Sequence, residues 1–208
     1  MKYKWIRETY LIYFYGGSIR KKLQKCHTIL ELGCGKESII VKADINKTTE
    51  VTAVDIFEPY IEAHKVLNRY SHYILGDVTE LDFKPKQFDA VVCMDLIEHI
   101  DRQKVLDSGL IDKMKVWGKS VYITTPNGYI ENKEIDGNKY QAHLSGWTIE
   151  DFKGYKVSGL SGAKFLRTYN AEIKYSPFLF WGVISALSQS ITKYIPRMAF
   201  HLMAVYEE

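Results

Sequence analysis

The chain is 208 residues long, with 46% hydrophobic and 25% charged residues, which excludes a disordered, collagen-like or disulfide-framework polypeptide. That length favours one large domain, expected to take up all of 1–208. The net charge of +3 is too small to indicate a nucleic-acid partner, and the one outlier in composition is tyrosine, 15 residues against 14 glycines.

Residues 1–25 are expected to form a helical cap, with Tyr3, Trp5, Tyr10, Tyr13, Phe14 and Tyr15 making it aromatic. It acts as a lid over an acceptor pocket or covers a sheet edge. A signal peptide is disfavoured, because Glu8 interrupts the apolar run and Arg20, Lys21 and Lys22 follow it instead of small residues. No stretch reaches the roughly 18 apolar residues of a membrane span. Cys26, Cys34 and Cys93 are odd in number and lack a CxxC spacing, so they read as reduced thiols and a cytoplasmic location is expected.

Short apolar runs then alternate with helical patterns. His27–Leu32, Glu50–Asp55, His72–Gly76, Phe88–Met94 and Lys119–Thr125 are rich in β-branched and aromatic residues and almost continuously apolar. Such runs belong to strands covered on both faces, hence to a parallel sheet. Glu58–Tyr70, with Pro59 in its first turn, and Asp95–Leu106 are expected to be helices. The alternation predicts an α/β fold, doubly wound and Rossmann-like, with its chemistry just beyond the carboxyl ends of the strands.

Those strand ends carry the informative residues. After the first strand come Glu31, Gly33, Cys34 and Gly35, where two glycines allow a tight turn and a close approach of backbone to ligand. Asp55 ends the second strand, placed to accept from both ribose hydroxyls of an adenosyl ligand. Asp77, followed by Val78, ends the third and can accept from an adenine amino group. The alternative for each carboxylate is a helix cap or a solvated loop end.

With these residues in order, the sequence resembles the class I S-adenosylmethionine-dependent methyltransferases, in the small-molecule O-methyltransferase branch that includes ubiquinone-biosynthesis-type enzymes. ILELGCG is similar to the first motif of that family, VTAVDIFEPYI to its ribose-binding strand end, GDVTEL to its adenine segment and FDAVVCMDLIEHI to its fourth motif. The resemblance covers about Leu23 to Lys156 and implies a seven-stranded sheet in three layers whose last strand, Ala199–Tyr206, is antiparallel. It implies S-adenosyl-L-methionine as cofactor, with Glu31, Gly33, Cys34, Gly35, Asp55, Ile56, Asp77, Val78, Met94 and Asp95 around it. It departs from the family at Glu37, where a third glycine is usual.

An acceptor hydroxyl of high pKa needs a base, and His99 and His143 are the candidates. Asp95, Glu98 and His99 would share a helix face and could hold magnesium, as in some ubiquinone-type relatives. Orientation of the helix and nearby loops is the alternative, and no metal is assigned. His143 lies in a long polar segment, Thr125–Gly146, of the kind that is usually functional, and Thr148 with Asp151 should cap a short helix behind it.

Residues 176–198 form an expected helical insert before the last strand, with Phe180, Ile184, Leu187, Ile191 and Tyr194 in one stripe and Ser185, Ser188, Gln189, Thr192 and Lys193 opposite. Packing of the stripe against the domain or a second subunit of a homodimer is one reading. Peripheral membrane contact or a lipophilic acceptor is the other.

The expected partner is a small-molecule acceptor, partly apolar. A nucleic-acid methyltransferase is disfavoured, since no Asn/Asp-Pro-Pro-aromatic run follows the fourth strand and no basic stripe is evident. A nicotinamide-dependent oxidoreductase fits poorly, because Ser38 stands where its fingerprint wants a third glycine or alanine. A non-catalytic cofactor-binding module is the remaining alternative.

Overall fold

The computed structural model describes residues 16–36, 38–42, 45, 48–133, 137–168 and 171–208. The expected aromatic segment at Tyr3–Tyr15 and the departure at Glu37 lie outside them. In chain order the elements are α1 (Gly16–Leu23), β1 (Thr28–Leu32), α2 (Ile39–Lys42), β2 (Glu50–Asp55), α3 (Glu58–Val66), β3 (His72–Leu75) and β4 (Phe88–Met94). Then come α4 (Arg102–Ser108), α5 (Leu110–Trp117), β5 (Gly118–Pro126), β6 (Lys156–Ala163), α6 (Phe178–Thr192) and β7 (Ala199–Glu207).

The seven strands form one sheet in the order β3-β2-β1-β4-β5-β7-β6. β1, β2 and β3 pair in parallel, Leu30 opposite Thr52 and Val54 opposite Ile74. β6 and β7 are antiparallel, Gly159 opposite Leu202. The expected α/β sheet with an antiparallel last strand therefore forms. Its order reverses at β1, and in sheets of this kind ligands bind outside the carboxyl ends of the strands at such a switch point.

The chain divides into two compact units, Met1–Val92 with Asp112–Ser120, and Cys93–Ile111 with Val121–Glu208. In the first, Ile29, Leu30, Val54 and Val91 are buried on the strands, and Trp117 is fully buried with its indole N–H donated to Asp82 Oδ1 at 3.1 Å. Asp89 on β4 accepts from the backbone N–H of His27 at 2.8 Å and of Thr28 at 3.2 Å, tying the start of β1 to β4. In the second unit, Ile123, Trp147, Leu160 and Leu202 are buried among the strands and loops.

One sequence expectation is corrected. Asp95–Leu106 is not one helix. Asp95 takes a left-handed φ of 49°, Ile97–His99 is a single 3-10 turn, and Ile100 is extended. A new helix, α4, starts at Asp101, whose side chain caps it by accepting from Lys104 N at 3.1 Å, and ends at Gly109 with φ 65°. On α6, for which the sequence left both packing and membrane contact open, Ser185, Gln189 and Thr192 are buried, while Leu187 and Ile191 are exposed.

Candidate functional site

The first unit carries the glycine loop. Gly33 and Gly35 have φ of 70° and 56°, a region that glycine enters without strain. A side chain at Gly35 would meet nothing within 4 Å, so glycine serves the backbone conformation there and not a crowded contact. The loop is latched to β2 by the N–H groups of Gly33 and Cys34, which donate to Val54 O at 2.9 and 3.1 Å.

Asp55 holds the same loop from the end of β2. Its Oδ2 accepts from Gly35 N at 2.8 Å and its Oδ1 from Phe57 N at 2.9 Å. Burial pushes the carboxyl up, against the pull of these two N–H bonds. The carboxylate already accepts from Gly35 N, Phe57 N and the Cys34 thiol, so a ribose diol would share its remaining lone-pair directions with them. The Cys34 thiol touches Asp55 Oδ2 at 3.9 Å, and burial raises its pKa strongly. It is a buried filler beside the loop.

Two residues outside the expected cofactor set, Ser38 and His64, complete this half. Ser38 Oγ donates to Glu31 at 2.8 and 2.7 Å and accepts from Ile40 N at 3.0 Å, so the buried Glu31 is tied to the start of α2. His64, buried on α3, reaches Gly35 O with Nε2 at 2.7 Å. A carbonyl only accepts, so Nε2 carries the proton. The serine before an apolar run is a legible helix cap; the histidine contact spans 29 residues and has no local signature. Asp77 Oδ1 closes the turn after β3 by accepting from Thr79 N at 2.9 Å and Thr79 Oγ1 at 2.6 Å. Val78 is buried, and Ile56 is exposed at the end of β2.

The second unit carries the two candidate acid–base residues, His99 and His143. Met94 ends β4, and the exposed Asp95 is held by Thr124, whose Oγ1 donates to Asp95 Oδ1 at 2.9 Å and whose carbonyl accepts from Asp95 N at 3.0 Å. Glu98 is buried, and its carbonyl accepts from Leu144 N at 2.8 Å and Ser145 N at 3.0 Å. Ser145 Oγ and the buried Trp147 indole N–H both donate to Ile97 O, at 3.0 and 3.2 Å. Arg102 lies over the Trp147 ring at 4.6 Å, donates to Gly146 O at 2.7 Å and pairs with Asp151, which caps the short turn at Ile149–Asp151 together with Thr148. This scaffold pins the 143–147 segment on the 97–99 turn.

The two histidines meet as a result. Their ring centroids are 4.7 Å apart at 74°. His99 Nδ1 lies 3.1 Å from Ala142 O, and His143 Nδ1 lies 2.6 Å from Ile130 O. Each Nδ1 must therefore carry the proton, which leaves each Nε2 with its lone pair. Burial holds both imidazoles below their ordinary pKa, and at His99 the neighbouring His143 adds to this. Burial and the Asp95 charge raise the Glu98 carboxyl well above the carboxylate range.

Glu98, His99 and His143 each offer one ligand atom, all within 4.8 Å of one another, and Glu98 Oε2 is buried without a hydrogen-bond partner. The set is compatible with a divalent cation. It differs from the expected carboxylate pair, since Asp95 is engaged by Thr124 and the helix meant to align it with Glu98 is broken.

Residues 30–109 match the family model described as "Methyltransferase domain". The chain is similar to the mitochondrial ubiquinone biosynthesis O-methyltransferase of Schizosaccharomyces pombe, 35% identical over 103 residues, which is 46% of this chain and 37% of that protein. It spans half or less of the curated relatives it matches. In fold it resembles a SAM-dependent methyltransferase from Archaeoglobus fulgidus, with a TM-score of 0.55 and 17% identity over 94% of this chain and 93% of that one. It also resembles the small RNA methyltransferase HEN1, with a TM-score of 0.57 and 16% identity over 94% of this chain and 25% of that one.

Proposed function

We propose, from the premise that the chain carries an S-adenosylmethionine-dependent methyltransferase domain, that it transfers the methyl group to a hydroxyl of a small-molecule acceptor. One observation carries the hydroxyl assignment: two imidazoles, His99 and His143, lie edge to face at 4.7 Å with each Nδ1 on a backbone carbonyl, so that in the neutral ring Nε2 is the atom able to accept a proton.

The glycine loop and Asp55 take the adenosyl part in this reading, with Asp55 on the ribose hydroxyls and Asp77 and Val78 at the adenine. Met94 and Asp95 line the methionine end. The transfer is an in-line displacement. The acceptor oxygen forms a bond to the methyl carbon as the carbon–sulfur bond breaks, and the sulfonium becomes a neutral thioether. The hydroxyl proton passes to an imidazole Nε2, His143 or His99, giving an imidazolium. The protein's main contribution is alignment of donor and acceptor.

A second reading rests on the orphaned Glu98 Oε2. Glu98, His99 and His143 would hold a divalent cation, which when bound would lower the pKa of a ligated hydroxyl. Neutral imidazoles suit that role as well.

Labelled S-adenosylmethionine offered with a panel of phenols and catechols, and in parallel with single-stranded RNA and with peptides, tests the reading. Label is expected on the oxygen of a small hydroxylated acceptor, whereas label on RNA or peptide alone would overturn it.

A further inference from the structure

Helix α6 has its polar side inward. Gln189 serves as a strand partner for β6, which lies at the sheet edge: its Nε2 donates to Gly159 O at 2.9 Å and its Oε1 accepts from Gly162 N at 2.8 Å. Ser188 Oγ accepts from Ala163 N at 2.9 Å. These side chains satisfy backbone groups that an edge strand otherwise leaves open. Close approach depends on the glycines, since a Cβ at Gly159 would collide with Thr192 O and one at Gly162 with Ser185 O.

The cost of this arrangement is an apolar outer face. Leu179, Phe180, Val183, Leu187, Ile191 and Tyr194 are exposed, Leu179 by 80% and Leu187 by 67%. The stripe from Phe180 to Ile191 runs about 17 Å along the helix. No charged residue occurs in Phe178–Thr192, and Lys174, Lys193 and Arg197 are the only Lys, Arg, Asp or Glu between positions 173 and 206. The cations therefore bracket the stripe at both ends, with Lys174 over the Tyr175 ring and Lys193 over the Tyr194 ring, each at 5.6 Å. Arg197 pairs with the exposed Glu150 at 2.6 Å.

We propose that the outer face of α6 docks on an anionic lipid bilayer, with the helix lying in the plane of the headgroups. Contiguous apolar surface of this kind marks an interaction site. A bilayer accepts a convex, charge-free stripe without matching hydrogen bonds, the aromatic rings suit the headgroup level, and the lysines reach lipid phosphates. Among the described residues no helix is long and apolar enough to cross a membrane, so the contact is interfacial. The proposal does not depend on the reading of methyl transfer.

Vesicle co-sedimentation tests it on the full chain, with phosphatidylcholine vesicles made with and without phosphatidylglycerol. The protein is expected to sediment with the anionic vesicles and less with the neutral ones. Leu187→Ser together with Ile191→Ser, both on the exposed face, should leave circular dichroism unchanged and weaken partitioning by at least about a hundredfold. Lys174→Gln and Lys193→Gln should each weaken anionic binding about fivefold. Absence of binding, or binding retained in the double variant, would overturn the proposal. So would a dimer in sedimentation velocity that the double variant abolishes while vesicles bind neither protein, which would assign the face to a second copy of the chain.

Discussion

His99 and His143 meet edge to face, 4.7 Å between ring centroids, with each Nδ1 committed to a backbone carbonyl, Ala142 O for the one and Ile130 O for the other. The contact joins a turn after β4 to a loop after β5, and in each neutral ring it leaves Nε2 as the nitrogen with a lone pair. A single imidazole held this way would be an ordinary loop histidine; two of them beside a buried carboxyl make a place where a proton or a cation can be received.

Replacing either histidine should separate chemistry from cofactor binding. His143→Ala and His99→Ala are each expected to lower kcat by roughly 10²–10⁴-fold if that residue is the base. The affinity for S-adenosylmethionine, measured by calorimetry, should stay unchanged in both. Equal turnover in both variants would remove the imidazoles from the mechanism.

The pH profile follows from the same burial. A base must be neutral to accept a proton, and burial lowers the pKa of both imidazoles. The rate should therefore hold as pH falls through about 6.5, the ordinary histidine value, and drop only below it. An acidic limb centred above that value contradicts the assignment.

Asp55→Ala should weaken S-adenosylmethionine binding at least tenfold. It removes the carboxylate offered to the ribose, a charge-assisted contact worth about 1.5–3 kcal/mol, and it releases Gly35 N and Phe57 N from their acceptors. Titration calorimetry on the variant reads this directly, and an unchanged affinity would sink the assignment of this strand end to the cofactor.

Asp89 sets an acid limit on stability. Burial alone would raise its pKa, but the Lys119 ammonium at 2.8 Å and the N–H groups of His27 and Thr28 outweigh it and hold the carboxyl at about 2. The folded state thus favours the ionised form, so its contribution is complete above the unfolded value of about 3.9 and is lost as pH falls towards 2. Asp89→Asn should lower the urea midpoint at neutral pH, and the gap between variant and parent should close across that window.

Much of the fold is legible in the sequence because buried parallel strands are written as continuous apolar runs: Glu50–Asp55 and Phe88–Met94 fall where their residues place them. The glycine loop and Asp55 are legible for a similar reason, since a left-handed turn needs glycine and a strand end marks the position of the acid. What the sequence conceals depends on partners far along the chain. Gln189 gives no sign in the sequence that Gly159 and Gly162 need it, so the sequence alone leaves open which face of α6 turns inward. His64 gives no sign of Gly35. The break between Ile97–His99 and α4 has a local mark, Asp101 as a helix cap, but the apolar spacing of Leu96, Ile100 and Leu106 continues across it and masks the boundary.

The central claim is most directly tested by mass analysis of a hydroxylated small-molecule acceptor incubated with S-adenosylmethionine and the chain, run side by side with a His99→Ala, His143→Ala double variant. The account predicts one added methyl on the acceptor oxygen with the parent chain and little or none with the double variant, while both bind the cofactor equally. Methylation that persists undiminished in the double variant would contradict it.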